Sequence, residues 1–399
     1  MRWIIKPFIQ VVGLLTLIGL KILGPIIRVE LCIVAFHRYG HLALEPEIFL
    51  GEKEMQSKGV RNIRFPIRIQ WWSFGPKRFQ ANHFLVSKWR EVLCALPSWW
   101  VNALHIVGKA VRFLQLDEPK MSVRGSCNSL DQTSAHIHMT NAEIESGRAA
   151  LPGLGINPDK PYVCLVVRDG GHYASLGEKE STGYSFMNFD IANFEQAALS
   201  LVQRGYQVVR MGAGSEVPFG ANHSGVIDYA NSLDRSAFLD VFIAATCSFA
   251  VSTQTGPDAV CLAFRRPVCY IDVTRYSQFF FGTKLAWWNP AELWQGDSRL
   301  TLRDILRGPI FWIKDPNDFI RQGIRQVRSD SERINHLVMS FVESFENNFH
   351  WNTSEDIATN TVQKLIEDQV GTVGREQFGR IAAVLNPGFV RQSGDWYLV

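Results

Sequence analysis

The sequence predicts an α/β protein built on parallel, doubly wound sheets. Short apolar runs alternate with amphipathic stretches from residue 29 to about residue 273, and this alternation is typical of strands and helices in a parallel sheet. A hydroxyl-rich turn with a glycine, Ser252–Gly256, follows one apolar run and precedes a short apolar helix. The first 27 residues are almost entirely apolar and form a separate element.

Composition narrows the functional class. A chain of 399 residues with 46% hydrophobic content can bury a large core and is long enough for two domains. The formal net charge of +3 comes without a tract of basic residues, so we expect no nucleic-acid partner. The seven cysteines are scattered, and no Cys-x-x-Cys pair occurs. We therefore expect buried thiols in a reducing compartment, no metal site and no cofactor.

Residues 1–27 have the composition of a membrane-associated helix. The uninterrupted apolar stretch Val11–Leu20 is too short to span a bilayer comfortably, and no small-residue cleavage site marks a signal peptide. A helix that lies in the membrane interface, with basic residues near anionic headgroups, fits better. The alternative is a helix packed on the protein's own core.

The α/β region opens with an apolar strand, Val29–Phe36, that runs into a polar turn and a helix. Function in such sheets gathers at the carboxyl ends of strands. His41, Glu45 and Glu47 are therefore candidates for acid/base chemistry or hydroxyl binding. The alternative is that His37 and His41 cap the turn and the carboxylates face water. The tryptophan-rich stretch 60–130 is compatible with sugar stacking, with a lipid interface or with a core.

A capping box, Thr140 with Glu143, begins a helix that precedes the predicted strand Tyr162–Val167. That strand ends in Arg168 and Asp169 and continues into a glycine-rich loop, 170–173. An arginine at the end of a strand suits phosphate recognition. The alternative is that Asp169 simply pairs with Arg168.

The alternation continues through the second half. Helices are predicted over residues 190–204 and 235–245, and strands over Tyr206–Met211, Gly225–Asp228 and Val268–Asp272. Tyr229 follows one of these strands, where it could contact a base or ribose. The glycines at 212 and 214 do not form a dinucleotide-binding fingerprint, because its third glycine would fall on Val217.

The turn after the apolar run Cys247–Val251 is the candidate diphosphate site. A strand that leads through Thr-Gly into a helix places backbone N–H groups at the carboxyl edge of a sheet. The hydroxyls of Thr253 and Thr255 add donors beside Gly256. The alternative is that this turn only caps the short helix at about 259–264.

An ordered set of motifs carries a family resemblance. The motifs are Arg38–His41, Thr140–Ile156, Val167–Asp169, Asn188–Ile191, Gly205–Gly212, Asp228–Ala230 and Ser252–Gly256. Together they resemble a family of bacterial glycosyltransferases from surface-polysaccharide loci. The last motif is also similar to the sugar-nucleotide loop of lipopolysaccharide heptosyltransferases, usually Thr/Ser-Gly-Pro-Met-His, where this chain has Asp258 and Ala259.

The resemblance implies a GT-B-like fold, in which two Rossmann-like doubly wound domains face a cleft. It implies an acceptor-side domain over 28–155, a nucleotide-sugar-binding domain over 156–315, and C-terminal helices and a tail over 316–399 that often brace the first domain. The implied activity is inverting transfer of a sugar from a nucleotide-diphosphate sugar to a glycan or lipid-linked acceptor. The implied location is the cytoplasmic face of the bacterial inner membrane.

Residue chemistry and position suggest roles for the candidate residues. The candidate substrate-binding residues are Arg168, Arg210, Gly212, Asp228, Tyr229, Ser252, Thr253, Thr255, Gly256 and Asp258. The candidates for the general base are His41, Glu45 and Asp169. No Asp-x-Asp motif occurs, so the leaving diphosphate is expected to be stabilised by arginine and hydroxyls without a metal.

Two other classes of protein remain compatible with the sequence. One is a sugar-nucleotide epimerase or hydrolase on the same fold. The other is a noncatalytic, membrane-associated scaffold of a polysaccharide assembly complex. An epimerase needs no acceptor, and a scaffold shows no saturable binding of nucleotide sugars.

Overall fold

The structure is a computed structural model that describes residues 2–58, 66–119, 121, 128–169, 188–215, 217–219, 223–315, 317–349, 353–378 and 381–393. The chain divides into two compact units, Met1–Val123 and Arg124–Val399. Residues 124–155 therefore belong with the second unit, whereas the sequence assigns them to the first domain. The glycine-rich loop 170–173 and Cys127 lie outside the described residues.

The first unit is mainly helical. Its elements are α1 (Arg2–Ile22), β1 (Ile27–Ile33), α2 (Tyr39–Ser57), β2 (Ile67–Ser73), α3 (His83–Val92) and α4 (Ser98–Ala110). β1 and β2 run parallel and form a two-stranded sheet in the described part of the unit. The expectation of a doubly wound sheet here is thus not met. The described part of the tryptophan-rich stretch includes β2, α3 and α4, and the side chains of Leu85 and Trp89 are buried at helical spacing.

Helix α1 has one buried face and one exposed face. Leu17 is buried in a small cluster with Leu104, Val107 and Leu114. The opposite face is apolar and exposed to solvent. No helix among the described residues has the length and apolar character needed to cross a membrane. The helix therefore packs on the protein's own core along one face, as the alternative interpretation expects, and its association with a membrane stays a prediction.

The second unit contains most of the regular structure. Its helices are α5 (Ser129–Gln132), α6 (Asn141–Ala150), α7 (Glu195–Gln203), α8 (Ala237–Thr246), α9 (Asp258–Ala263), α10 (Leu302–Arg307), α11 (Asn317–Arg321), α12 (Ser331–Glu346), α13 (Thr353–Phe378, kinked at Gly371) and α14 (Pro387–Ser393). Its strands are β3 (Tyr162–Val166), β4 (Gln207–Arg210), β5 (Val226–Ile227), β6 (Ala250–Ser252), β7 (Val268–Val273), β8 (Ala286–Pro290), β9 (Glu292–Gln295), β10 (Ser298–Arg299), β11 (Ile324–Val327) and β12 (Val384–Leu385).

Seven parallel strands form the central sheet in the order β12-β8-β7-β6-β3-β4-β5. Strands β4 and β5, which follow β3 in the chain, lie on one side of it in the sheet. The next strands, β6, β7 and β8, lie on the other side. The order of winding therefore reverses between β3 and β6. Open α/β sheets bind their ligands outside the carboxyl ends of the strands at such a switch point.

Burial explains why these segments form strands. All residues of β3, β7 and β8 are buried, as in a parallel sheet with both faces covered. Helix α12 packs against α7 and β7, and α6 packs against α8. The α6–α8 contact is close: a Cβ at Gly147 would lie 2.3 Å from the ring of Phe242. The predicted strands β3, β4, β5, β6 and β7 and the capping box of α6 are confirmed.

The C-terminal part contains strands that the sequence analysis missed. β9, β10 and β11 form a three-stranded antiparallel sheet, and β12 pairs with β8 at the edge of the central sheet. Helix α12 contacts α7 and β7 in its own unit. These strands were missed because they are two to five residues long and carry few alternating apolar residues.

Candidate functional site at the switch point of the central sheet

The loops that follow β3 and β6 are joined at the switch point. Val166 and Ser252, the last residues of the two strands, are paired in register. The amide of Thr253 donates to the carbonyl oxygen of Val166 at 3.2 Å, and the amide of Arg168 donates to the Thr253 hydroxyl oxygen at 2.9 Å. A hydroxyl that accepts one hydrogen bond retains its own O–H as a donor. Thr253 can therefore offer that O–H beside the half-buried Arg168.

Asp258 stabilises the turn after β6 from the buried side. Its carboxylate is buried and accepts hydrogen bonds from the Ser252 hydroxyl at 2.5 Å and from the Thr255 amide at 3.0 Å. Burial raises the pKa of Asp258 to about 7, against the opposing effect of these hydrogen bonds. The amide of Thr255 is thus hydrogen-bonded within the fold, whereas the sequence analysis expected the backbone N–H groups of this turn to face a diphosphate. Asp258 and Ser252 lie inside the fold, and the Thr255 and Gly256 positions are half-exposed.

Gln254 holds the same turn against the next strand, and the sequence analysis did not single it out. Its backbone is left-handed, with φ of +57°. Its side-chain oxygen accepts hydrogen bonds from the amides of Thr274 and Arg275, at 3.1 and 3.3 Å. These two residues follow β7, so Gln254 links the ends of β6 and β7. A glutamine in a Thr-rich turn carries no sequence signal that could have identified this role.

Arg210 is a buried cation beside the switch point. Its side chain is 1% exposed and lies 3.0 Å from the carboxylate of Asp169 and 3.6 Å from that of Asp228. It also donates to the carbonyl oxygen of Val217 at 2.5 Å. The Asp228 carboxylate accepts in turn from the amide of Phe219 at 3.1 Å. Arg210 thus joins the ends of β3, β4 and β5, and Asp169 pairs with Arg210 in this arrangement.

Tyr229 and Gly212 are two further residues that the sequence analysis assigned to the site. Tyr229 is fully buried, and its hydroxyl donates to the carboxylate of Asp240 at 2.9 Å. Burial raises the pKa of Tyr229 above its ordinary value. The structure therefore places the tyrosine ring in the core, whereas the sequence analysis placed it against a base or ribose. Gly212 has φ of +147°, a backbone conformation that favours glycine.

A second arginine lies at this edge of the sheet, in the turn after β11. The guanidinium of Arg328 stacks 3.9 Å from the ring centre of Phe189, and the Phe189 amide donates to the carbonyl oxygen of Arg168 at 2.9 Å. Burial lowers the pKa of Arg328 to about 10, with Asp272 acting in the opposite direction. A desolvated cation of this kind interacts more strongly with an anion than an exposed one does. The sequence analysis missed Arg328 because β11 was not predicted.

The next residue, Ser329, is anchored by Asp272. The Asp272 carboxylate accepts from the Ser329 amide at 2.8 Å and from its hydroxyl at 2.7 Å. The side-chain amide of Asn289 donates to the same carboxylate at 2.9 Å. The turn that carries Arg328 is therefore fixed to the end of β7.

The first unit contains an oriented imidazole. The Nδ1 atom of His41 lies 2.8 Å from one carboxylate oxygen of Glu45. The other oxygen of Glu45 accepts from the amide of Ala35 at 3.0 Å, just after β1. Glu45 is buried, and the His41 side chain is 35% exposed. When Nδ1–H donates to the carboxylate, Nε2 carries the lone pair and can accept a proton.

Comparison with known proteins adds the following. No family model matches the chain, and no curated protein matches it in sequence. Among solved structures, the chain is similar to the glycosyl transferase family 9 from Veillonella parvula, with 9% identity and a TM-score of 0.42 over 74% of this chain and 95% of that one. It is also similar to the ADP-heptose lipopolysaccharide heptosyltransferase II of E. coli, with 13% identity and a TM-score of 0.39 over 63% and 86%. These values are too low to assign the chain to a family.

Proposed function

We propose that the protein is a glycosyltransferase that moves a sugar from a nucleotide-diphosphate sugar to a hydroxyl of a glycan or lipid-linked acceptor in the synthesis of a bacterial surface polysaccharide. The observation that carries the proposal is the joining of Arg168 and Thr253 at the switch point of the central sheet. This is the position at which doubly wound sheets bind phosphorylated ligands.

The proposed reaction is an inverting displacement that needs no metal. As the bond between sugar and phosphate breaks, negative charge develops on the leaving diphosphate. Arg168 and the Thr253 hydroxyl are donors of the kind that stabilise such charge. Arg328 is a second cation at the same edge of the sheet. Arg210 has a supporting role, because its charge is taken up by two carboxylates.

We assign the general base to His41, with Glu45 as its positioning residue. The acceptor hydroxyl must lose a proton as it attacks the sugar. The hydrogen bond to Glu45 holds the imidazole with Nε2 available for that proton. Asp169 is the weaker candidate, because one of its oxygens accepts from the buried Arg210.

We propose that the protein binds its acceptor at a membrane surface. Helix α1 exposes Phe8, Val11, Leu15, Ile18 and Ile22 at helical spacing, with exposed fractions between 39 and 73%. A second apolar stripe, Trp99, Ile106 and Phe113, lies on α4 and the turn after it. The exposed basic residues Lys21, Lys109 and Arg112 suit anionic headgroups. We propose that this surface lies in the interface of the cytoplasmic face of the inner membrane.

Nucleotide binding tests the donor site. Purified full-length protein is mixed with UDP, GDP, ADP or CMP, and the melting temperature is measured. One nucleotide should raise it in the wild type, and Arg168→Ala should remove most of the rise. Arg148→Ala is the matched control, because Arg148 forms an exposed pair with Asp159 before the start of β3. An unchanged rise in Arg168→Ala would show that the nucleotide binds elsewhere.

Product analysis and vesicle flotation test the remaining parts. Conversion of a nucleotide sugar without an acceptor would indicate an epimerase or hydrolase, and the absence of saturable nucleotide binding would indicate a scaffold. Flotation with anionic vesicles should be weakened by Leu15→Glu. It should not be weakened by Leu199→Glu, which changes a leucine of α7 that is 42% exposed. Equal flotation of the two variants would contradict the assigned surface.

A further inference from the structure

Three cysteines that are far apart in the sequence form a cluster in the buried interior of the second unit. They are Cys164 in β3, Cys247 directly after α8 and Cys261 in α9, and their sulfur atoms all lie within 4.8 Å of one another. All three side chains are fully buried. Cys269, by contrast, is a buried thiol in β7 that does not belong to this group.

The spacing of the sulfur atoms is close to that of a metal site. Zinc binds cysteine sulfur at about 2.3 Å, so three sulfurs around one ion stand about 4 Å apart. The thiols of the cluster need to move by less than about an ångström to reach that geometry. Such a movement is available to cysteine, whose side chain turns about a single bond.

The surroundings of the cluster supply a compensating charge and oxygen atoms. Arg266 donates from Nε to the carbonyl oxygen of Ala245 at 2.8 Å, beside the end of α8. The carbonyl oxygens of Ile243 and Ala244 lie 3.6 and 3.3 Å from the sulfurs of Cys164 and Cys247, and they accept the thiol protons of the metal-free form.

We propose that Cys164, Cys247 and Cys261 form a binding site for one divalent thiophilic cation of the Zn²⁺ class. Binding replaces three S–H protons by three metal–sulfur bonds and releases the protons to solvent. Three thiolates and one divalent ion carry a net charge of −1, which the Arg266 guanidinium offsets. Soft sulfur ligands select such ions over Mg²⁺ or Mn²⁺. A cation at this site links β3 to the end of α8, which precedes β6 in the chain, and to α9, which follows it.

Cadmium is the spectroscopic probe for this site. Full-length protein that has been reduced and freed of metal is titrated with Cd²⁺, and thiolate-to-metal absorption in the ultraviolet is recorded. We expect a band that saturates at one equivalent per chain and a rise in melting temperature with Zn²⁺. The variants C164A, C247A and C261A should each lose the band, and the matched control C269A should keep it. The same band in all four variants would overturn the proposal.

Thiol labelling keeps the proposal testable if a cluster variant does not fold. Wild-type protein is exposed to an alkylating reagent in mild denaturant with and without Zn²⁺, and each cysteine is quantified by mass spectrometry. Zn²⁺ should protect the three cluster cysteines together by at least several-fold and leave Cys269 unchanged. Equal protection of all buried cysteines, or a disulfide between two cluster cysteines in freshly reduced protein, would contradict the site. Neither measurement depends on the proposed glycosyl transfer.

Discussion

The amide of Arg168 donates a 2.9 Å hydrogen bond to the hydroxyl oxygen of Thr253. This bond joins the loop after β3 to the loop after β6, the two strands between which the winding of the sheet reverses. It holds the backbone from which the Arg168 side chain extends, so a donor diphosphate at this edge would meet a guanidinium whose base is fixed.

Replacement of Arg168 by alanine should lower turnover far more than it lowers stability. Loss of one preorganised donor to a developing anion costs about 2.7–4 kcal/mol, or roughly a hundred- to a thousand-fold in rate. Thr253→Val should have a smaller effect, because a neutral hydroxyl forms weaker hydrogen bonds than a guanidinium does. Steady-state kinetics with the identified donor measure both effects. Wild-type turnover in Arg168→Ala would exclude the proposed role.

The His41–Glu45 pair should control the rate of proton removal from the acceptor hydroxyl. His41→Gln removes the proton acceptor and should lower kcat by roughly a hundred- to ten-thousand-fold. Glu45→Gln should lower kcat less than His41→Gln does and leave nucleotide binding intact, since it only weakens the hydrogen bond that orients the imidazole. The matched control is His105→Gln, because His105 forms a similar pair with Glu118 at 2.6 Å. Equal activity of the His41 and His105 variants would argue against His41.

Arg210 should be essential for stability. Arg210→Met leaves Asp169 and Asp228 without their shared cation, and the loss of one partner of a buried ion pair costs about 3–5 kcal/mol. Arg210→Lys should restore part of the loss, since it keeps the charge but not the planar fork. Urea denaturation measures these differences. Arg148→Met, at an exposed pair, should change stability by about 1 kcal/mol or less, and a similar small change for Arg210→Met would contradict the assignment.

Asp258 should make the folded state less stable as the pH rises. Its pKa is raised to about 7 in the fold by burial, whereas an unfolded aspartate titrates near pH ~3.9. Between these values the folded state holds the proton that the unfolded state has lost, so stability falls by at most about 1.4 kcal/mol per pH unit. The loss is complete above about pH 7.

Comparison with Asp258→Asn isolates this contribution. Asparagine keeps an oxygen that can accept from Ser252 and Thr255 but does not ionise. Urea denaturation between acidic and mildly alkaline pH should show that the wild type loses stability relative to the variant as the pH rises. A constant difference across this range would show that Asp258 is ionised throughout.

Activity should survive chelation of hard divalent cations. The chain has no Asp-x-Asp motif, and arginine and hydroxyl groups are assigned to the leaving diphosphate. Turnover in EDTA should therefore stay within about two-fold of the untreated enzyme, since no donor to the transition state is removed. Complete loss with recovery on addition of Mg²⁺ or Mn²⁺ would overturn the metal-independent reaction.

Local sequence patterns were sufficient to place Arg168 and Thr253 directly after buried strands. Buried parallel strands are continuous apolar runs, and polar residues that follow such runs lie at one edge of the sheet. For this reason Arg168 and Thr253 were found from the sequence. The first domain was predicted less well, because the apolar residues of α3 and α4 occur in a stretch rich in aromatic and basic residues whose periodicity is weak.

The sequence by itself determined the α/β class, the β3–β7 strands and the capping box of α6, because these depend on neighbouring residues. Only the tertiary structure decided which polar groups are exposed and which are buried. Tyr229 lies in the core, and the carboxylate of Asp258 accepts the hydrogen bond of the Thr255 amide, a group that the sequence analysis expected to bind a phosphate. Tertiary structure also brings Cys164, Cys247 and Cys261 together. Contacts between residues so far apart in the chain are set by the packing of whole elements, and no local pattern records them.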